Sequence, residues 1–320
     1  MKILVTGGAG YIGSHTVYAL IESGHNVVVV DNLVTGHRLD VHPDATFYEG
    51  NIGDIHFMVN VFKEERVDGV IHFAAYSLVG ESMTKPHKYY ENNVSATNNL
   101  LAAMSECGVK HLVFSSTAAV YGAVKDFPIL ESAPTVLTST YGETKLAMER
   151  MIAWHGQATG MTHVALRYFN VAGAHPSGAI GEKHDPETHL IPLVLEVAKG
   201  TRASISVFGT DYETADGTCI RDYIHVCDLA VAHILAMEYL VQGGANTVCN
   251  LGNGAGFSVR EVIETVRAVT ECEIPEILEA RRAGDPATLI ASSERAKTVL
   301  GWEPRYPNLS DIVRSAWLVK

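Results

Sequence analysis

Seven residues near the N-terminus restrict the fold more than any other feature of the chain. Gly7-Gly8-Ala9-Gly10-Tyr11-Ile12-Gly13 follows directly on a β-rich run, Lys2–Thr6, and opens a helix candidate at Tyr11–Ser23. The pattern is G-x-x-G-x-x-G from Gly7 and G-x-G-x-x-G from Gly8. Between a strand and a helix, such glycines permit a tight turn and let the backbone approach a pyrophosphate at the helix N-terminus. A glycine pattern alone also fits an ordinary loop. Asp31 adds the discriminating context, because it ends the next β-rich run, Asn26–Asp31, 18 residues beyond Gly13. A carboxylate there accepts from adenosine ribose hydroxyls and repels a 2′-phosphate. The expected ligand is NAD in preference to NADP.

The rest of the first half repeats this alternation. Thr46–Tyr48, Gly69–His72, Lys110–Ser115 and His163–Tyr168 read as strands, with helix candidates at Asp54–Glu65, Lys88–Glu106 and Tyr141–Gly156. Val27-Val28-Val29-Val30 lacks the alternation of a half-exposed strand, as expected where helices cover both faces of a parallel sheet. The pattern predicts a doubly wound parallel α/β sheet, with the ligand beyond the carboxyl ends of its strands. From Gly173 onward the chain is less regular, with helix candidates at Cys227–Leu240, Ser258–Thr270 and Asp311–Val319. We read a first domain over 1–172 and a smaller, mixed α/β domain over 173–320, with a soft boundary that strands can cross.

Charge and cysteine usage exclude several partners. A net charge of −12 argues against nucleic acid, which needs a basic face to displace counterions. It leaves room for a phosphorylated small molecule held by a few arginines. No run approaches the roughly 18 uninterrupted apolar residues of a membrane span, so no membrane association is expected. Lys2–Thr6 already reads as a strand, which leaves no signal peptide. The five cysteines are scattered and include no C-x-x-C pair. Cys219, Cys227 and His225 could hold a metal, but buried free thiols are the favoured reading, and no metal is expected. The cytoplasm is the expected compartment.

The strongest chemical signal is Tyr141-Gly142-Glu143-Thr144-Lys145. Residues i and i+4 of a helix share a face, so the phenol and the ammonium can address one ligand. A free tyrosine, with a pKa near 10, is a poor base at neutral pH. A neighbouring ammonium and a positive nicotinamide ring are both expected to stabilise the phenolate. Tyr141 could then remove a hydroxyl proton while the carbon beneath gives hydride to the cofactor. Thr117, in Ser115-Ser116-Thr117, either donates to the developing carbonyl oxygen, relays its proton to Tyr141, or caps the turn.

These residues together resemble the extended short-chain dehydrogenase/reductase family, and within it the nucleotide-sugar 4-epimerases. The resemblance spans nearly the whole chain: Gly7–Gly13, Val70–Ala74, Lys85–Asn93, Phe114–Gly122, Tyr141–Lys145, Arg167–Gly178, Arg221–Val226 and Arg281–Asp285. It implies a Rossmann domain, tightly retained NAD, a homodimer, and interconversion of UDP-glucose and UDP-galactose through a 4-keto sugar. Tyr141 would be the base, Lys145 its tuning partner and a ligand of the nicotinamide ribose, and Thr117 the accompanying hydroxyl. The cofactor residues it implies are Gly7, Gly10, Tyr11, Ile12, Gly13, Asp31, Asn32, Asn51, Ile52, Phe73, Ala74, Asn92, Tyr141, Lys145 and Tyr168. For the UDP-hexose it implies Thr117, Asn170, His189, Leu190, Phe208, Arg221, Arg282, Asp285 and Leu289. Two arginines suit a diphosphate, since guanidinium pairs bidentately with phosphate oxygens.

Some positions depart from the family pattern. Asn51 stands where many relatives have Asp, Ser77 where some have Lys, and His189 where some have Asn. Leu289 replaces a Tyr that confines the sugar pocket in some relatives, which extends the expected substrates to UDP-N-acetylglucosamine and its 4-epimer. Nucleotide-sugar 4,6-dehydratases need an acid/base pair after the Thr117 position, and Ala118-Ala119 cannot transfer protons. UDP-glucuronate 4-epimerase or decarboxylase chemistry stays open, as does a non-catalytic NAD-binding regulator.

Overall fold

The four valines of Val27–Val30 are buried on both faces of one sheet. Val27 and Val29 pack into one apolar cluster, and Val28 and Val30 into the other. This two-sided burial explains the absence of alternation in their sequence. The computed structural model describes residues 1–122, 124, 126–282 and 285–319.

In the first half the elements are β1 (Lys2–Thr6), α1 (Tyr11–Glu22), β2 (Asn26–Asp31), β3 (Thr46–Glu49), α2 (Ile55–Glu65) and β4 (Gly69–His72). Next come α3 (Val79–Thr84), α4 (Pro86–Tyr89), α5 (Ala96–Cys107), β5 (His111–Ser115), α6 (Thr140–Thr159) and β6 (Thr162–Tyr168). The second half contains β7 (Asn170–Ala172), α7 (Leu190–Ala198), β8 (Ile205–Phe208), β9 (Ile220–Arg221), β10 (Tyr223–His225), α8 (Val226–Val241) and β11 (Thr247–Leu251). It closes with β12 (Phe257–Ser258), α9 (Val259–Thr270), β13 (Glu276–Glu279), β14 (Thr288–Leu289), α10 (Glu294–Leu300) and α11 (Leu309–Trp317).

Seven strands form a parallel sheet in the order β11-β6-β5-β4-β1-β2-β3. The order reverses at β1, which pairs with both β2 and β4. In an open α/β sheet, a crevice forms beyond the carboxyl ends of the strands at this reversal. Gly7 sits there with φ +72°, and a side chain on Gly13 would place its Cβ 2.1 Å from the Gly7 carbonyl oxygen. Only a residue without a Cβ lets the start of α1 close against the end of β1.

The helix expected over Lys88–Glu106 is three pieces: α4, a π-helical turn at Tyr90–Ser95, and α5. π-turns are uncommon and concentrate at functional sites. Here the turn carries Asn92 and the buried Asn93. Asn93 accepts from the Tyr76 amide at 2.8 Å and donates to the Thr144 hydroxyl at 3.1 Å, tying the turn to α6.

The second half builds small sheets around another apolar cluster, with α7, α9 and α11 packed over Val194, Val207, Val262 and Ile312. α8 and β11 return to the large sheet. β11 pairs in parallel with β6, and α8 packs against α1, β5 and β6. The stretch 226–251 therefore lies with the first half of the chain.

Candidate active site

The reversal of strand order opens a cleft of about 540 Å³. Gly7, Gly10, Tyr11, Ile12 and Gly13 form one end, together with Asp31, Asn32, Phe73, Ala74 and Asn92. Thr117, Tyr141, Lys145 and Tyr168 form the floor, and Asn170, His189, Arg221 and Leu289 the opposite wall. Residues far apart in the chain meet here because β1, β2, β4, β5 and β6 end on the same edge of the sheet.

The glycine end has the features of a dinucleotide cradle. Gly10, the N-cap of α1, is extended, and no side chain caps that terminus. The first amides of a helix lack intrahelical partners and favour an anion. Asp31 Oδ2 accepts from the Ala9 amide at 3.0 Å and Oδ1 from the Leu33 amide at 2.9 Å. A carboxylate has about four acceptor sites, so capacity for ribose hydroxyls remains. Asn51 and Ile52 do not line the cleft. Asn51 caps its own turn through the Gly53 amide at 2.8 Å, and Ile52 is buried in the apolar cluster that contains Val28 and Val30.

At the floor, α6 begins with Ser139, whose hydroxyl accepts from the Gly142 amide at 3.1 Å. That cap fixes the start of α6, from whose first two turns Tyr141 and Lys145 reach the cleft. Burial raises the Tyr141 phenol to about 12, and its hydrogen bond with Thr117 only partly opposes this. The expected lowering by the Lys145 ammonium is not found in the protein alone. Lys145 Nζ donates to the Ser115 carbonyl at 2.8 Å, and burial brings its own pKa down to about 7 against the attraction of Glu149. Desolvation therefore outweighs the pairing that the i,i+4 spacing suggested.

Thr117 does two things at once. Its oxygen accepts from the Ala119 amide at 3.1 Å, capping a short turn, and its hydroxyl faces the Tyr141 phenol. Tyr168 is tied to Ser115 by a hydroxyl–hydroxyl hydrogen bond. Ala118 and Ala119 line the cleft beside Thr117 and carry no proton-transferring group.

The residues expected to hold a nucleotide diphosphate divide into two groups. Asn170, His189, Arg221 and Leu289 reach the cleft. Asp285 joins them indirectly, through a hydrogen-bonded ion pair with Arg221. Leu190 starts α7 and packs on the apolar cluster of the second half, with Val194 and Ile312, while the Arg282 guanidinium stacks 3.9 Å from the centre of the Phe208 ring. Leu190, Phe208 and Arg282 lie outside the cleft lining. Ala283 and Gly284, inside the Arg281–Asp285 segment, lie outside the described residues.

Glu182 and His184 also line the cleft, beside His189, and sequence reasoning passed over them. Burial alone would lower the His184 and His189 pKa values, but the neighbouring carboxylates of Glu182 and Glu187 raise them to about 9 and 10. The signal was visible as Glu182-x-His184-x-x-Glu187-x-His189. Tyr76 and Phe169 were also missed, because no spacing rule marks an aromatic wall. Among the described residues, Cys219, Cys227 and His225 form no metal-ligating group, and the His225 ring instead accepts from the Cys227 amide at 3.1 Å.

The NAD dependent epimerase/dehydratase family matches this chain over residues 3–252. A UDP-glucose 4-epimerase of Halalkalibacterium halodurans is 58% identical over 317 residues, covering 99% of this chain and 95% of the relative. A crystal structure of UDP-glucose 4-epimerase from Brucella ovis in complex with NAD superposes with a TM-score of 0.97 at 46% identity, covering 99% of this chain and 97% of that one. The UDP-Glc/GlcNAc 4-epimerase of Campylobacter jejuni gives a TM-score of 0.88 at 40% identity, covering 99% and 98%. This chain belongs to the NAD dependent epimerase/dehydratase family. Its relatives within that family, at this identity and coverage, are UDP-glucose 4-epimerases.

Proposed function

We propose that this chain interconverts UDP-glucose and UDP-galactose by moving hydrogen off and back onto sugar C4, with Tyr141, Lys145 and Thr117 as the reacting apparatus. The enzyme is an isomerase, and its cofactor is NAD. The observation that carries the reading is the meeting of Thr117, Tyr141 and Lys145 in one cleft with the glycine turn and Asp31. NAD, when bound, supplies a hydride acceptor and a positive ring. Tyr141 takes the proton from the sugar 4-hydroxyl oxygen and returns it after the keto sugar has turned. Thr117 holds that oxygen by hydrogen bonding, and Lys145 would donate to the nicotinamide ribose. Gly7, Gly10, Tyr11, Ile12 and Gly13 hold the pyrophosphate, with Asp31 on the adenosine ribose.

Arg221 and Asn170 hold the UDP part, with Asp285 orienting Arg221. Grip on the nucleotide, remote from C4, retains the substrate while leaving the hexose free to present either face. The functional division is 1–172 for the cofactor and 173–320 for the sugar nucleotide, with 226–251 crossing back. We place the enzyme in the cytoplasm, in keeping with five free cysteines, and as a homodimer, which light scattering of the purified protein would test.

The decisive assay is conversion of UDP-galactose to UDP-glucose by purified protein without added NAD, with UDP-glucuronate in parallel. Activity on UDP-galactose is expected. Activity on UDP-glucuronate alone would overturn the reading. The UDP-glucuronate and regulator readings are not favoured, given the relatives and the complete Thr117, Tyr141 and Lys145 set.

Leu289 faces the cleft from β14, where a larger side chain would narrow the sugar end. Leu289→Tyr is expected to cut kcat/KM for UDP-N-acetylglucosamine at least about tenfold, the scale of an overpacking penalty. UDP-galactose turnover should change by less than about threefold on the same grounds. Equal losses on both substrates would remove Leu289 from the specificity argument.

A further inference from the structure

Glu182, His184, Glu187 and His189 come from one short stretch between β7 and α7, and three of them line the cleft. Their ligand atoms all lie within 4.8 Å of one another. His189 Nδ1 is 2.9 Å from Glu182 Oε1 and 2.8 Å from Glu187 Oε1. His184 Nδ1 is 3.1 Å from Glu182 Oε1 and 3.6 Å from Glu187 Oε2. A tetrahedral ion held by bonds of about 2.05 Å would space its ligands about 3.3 Å apart. Three of the four contacts are shorter than that value and the one to Glu187 Oε2 is longer, so shifts of a few tenths of an ångström would admit an ion.

Two further features point to a ligand rather than to plain ion pairing. His184 Nδ1 is shielded from solvent and close to two carboxylates, yet makes no hydrogen bond to either. Glu187 Oε1 is held in place by the amides of Thr188 at 2.7 Å and His189 at 2.8 Å. Such outer contacts are what fix a carboxylate as a metal ligand.

We propose that Glu182, His184, Glu187 and His189 bind one divalent ion of the Zn²⁺ class on the sugar-side wall of the cleft. The donor set decides the class. Two imidazoles and two carboxylates suit Zn²⁺ and its neighbours, whereas Mg²⁺ and Ca²⁺ take oxygen ligands at higher coordination number. An ion there pins Glu182, His184 and His189 to one another, and so obstructs any movement of that wall as substrate enters.

The test is titration of the full-length, cofactor-containing protein with Co²⁺, whose visible absorption distinguishes tetrahedral from octahedral sites and shows thiolate ligands as charge-transfer bands. One equivalent per chain, a tetrahedral spectrum, no thiolate band and displacement by Zn²⁺ are expected. His184→Asn/Glu187→Gln should weaken this binding at least about tenfold, since removing outer or inner ligands costs a metal site about that much or more. Zn²⁺ should also slow wild-type turnover, with recovery on adding a chelator. Thermal unfolding checks that the double variant folds, and Glu187→Gln alone carries the comparison if it does not. No saturable binding, an octahedral spectrum, thiolate bands or undiminished binding by the variant would each overturn the site.

Discussion

Tyr141→Phe is expected to lower kcat about a thousandfold while leaving fold and bound cofactor intact. A positioned acid/base group contributes about 10² to 10⁴ in rate, and removing one hydroxyl from a buried ring changes packing little. The magnitude should fall toward the upper part of that range, because the groups beside the phenol are poor substitutes for it. Ala118 and Ala119 carry none, Lys145 is engaged with the Ser115 carbonyl, and Thr117 is a weaker base than a phenolate. The phenol, raised to about 12 by burial, is protonated at neutral pH in the protein alone. Its use as a base depends on positive charge arriving with the cofactor. Steady-state kinetics with a parallel melting curve checks this, and a loss below about tenfold would place the base elsewhere.

The second large effect is on stability, at Glu149, one turn beyond Lys145 on α6. Glu149 is bonded by Arg167 Nε at 2.9 Å and also accepts from the Ser116 hydroxyl. Arg167 Nη1 donates to the Tyr121 hydroxyl at 2.9 Å, and Tyr121 donates to Asn250 Oδ1 at 2.6 Å. This buried chain joins α6, β6 and β11 beneath the reacting residues. Glu149→Ala leaves the Arg167 guanidinium buried and unpaired, which costs about 3–5 kcal/mol. Urea unfolding at fixed NAD concentration should show that loss as a lower midpoint. Replacing both partners by apolar residues, Glu149→Leu/Arg167→Met, should recover much of it, because the cost lies in the stranded charge. A Glu149→Ala loss below about 1 kcal/mol, the scale of a surface pair, would show that the network contributes little.

What the sequence disclosed follows from which interactions are local. The glycine turn, Asp31 at a strand end and the Tyr141/Lys145 spacing are short-range patterns, and the structure brings all of them to one cleft. The first six strands were legible from their apolar runs and turn signals. The π-turn at Tyr90–Ser95 was not, because Asn93 is held by Tyr76 and Thr144, partners remote in the chain. A strand crossing the soft boundary was expected, but not which one, since the pairing of β11 with β6 joins residues remote in the chain. Spacing reveals the charge beside Tyr141 but not the desolvation of both groups, which raises the phenol in the protein without its cofactor.

The measurement that most directly tests the central claim uses UDP-galactose carrying deuterium at sugar C4, converted in ordinary water and read by NMR of the product. Hydrogen that leaves C4 for the cofactor and returns within one closed cleft predicts UDP-glucose with deuterium retained at C4. Product with hydrogen at C4, taken from water, would contradict hydride transfer and require a different reaction at this site.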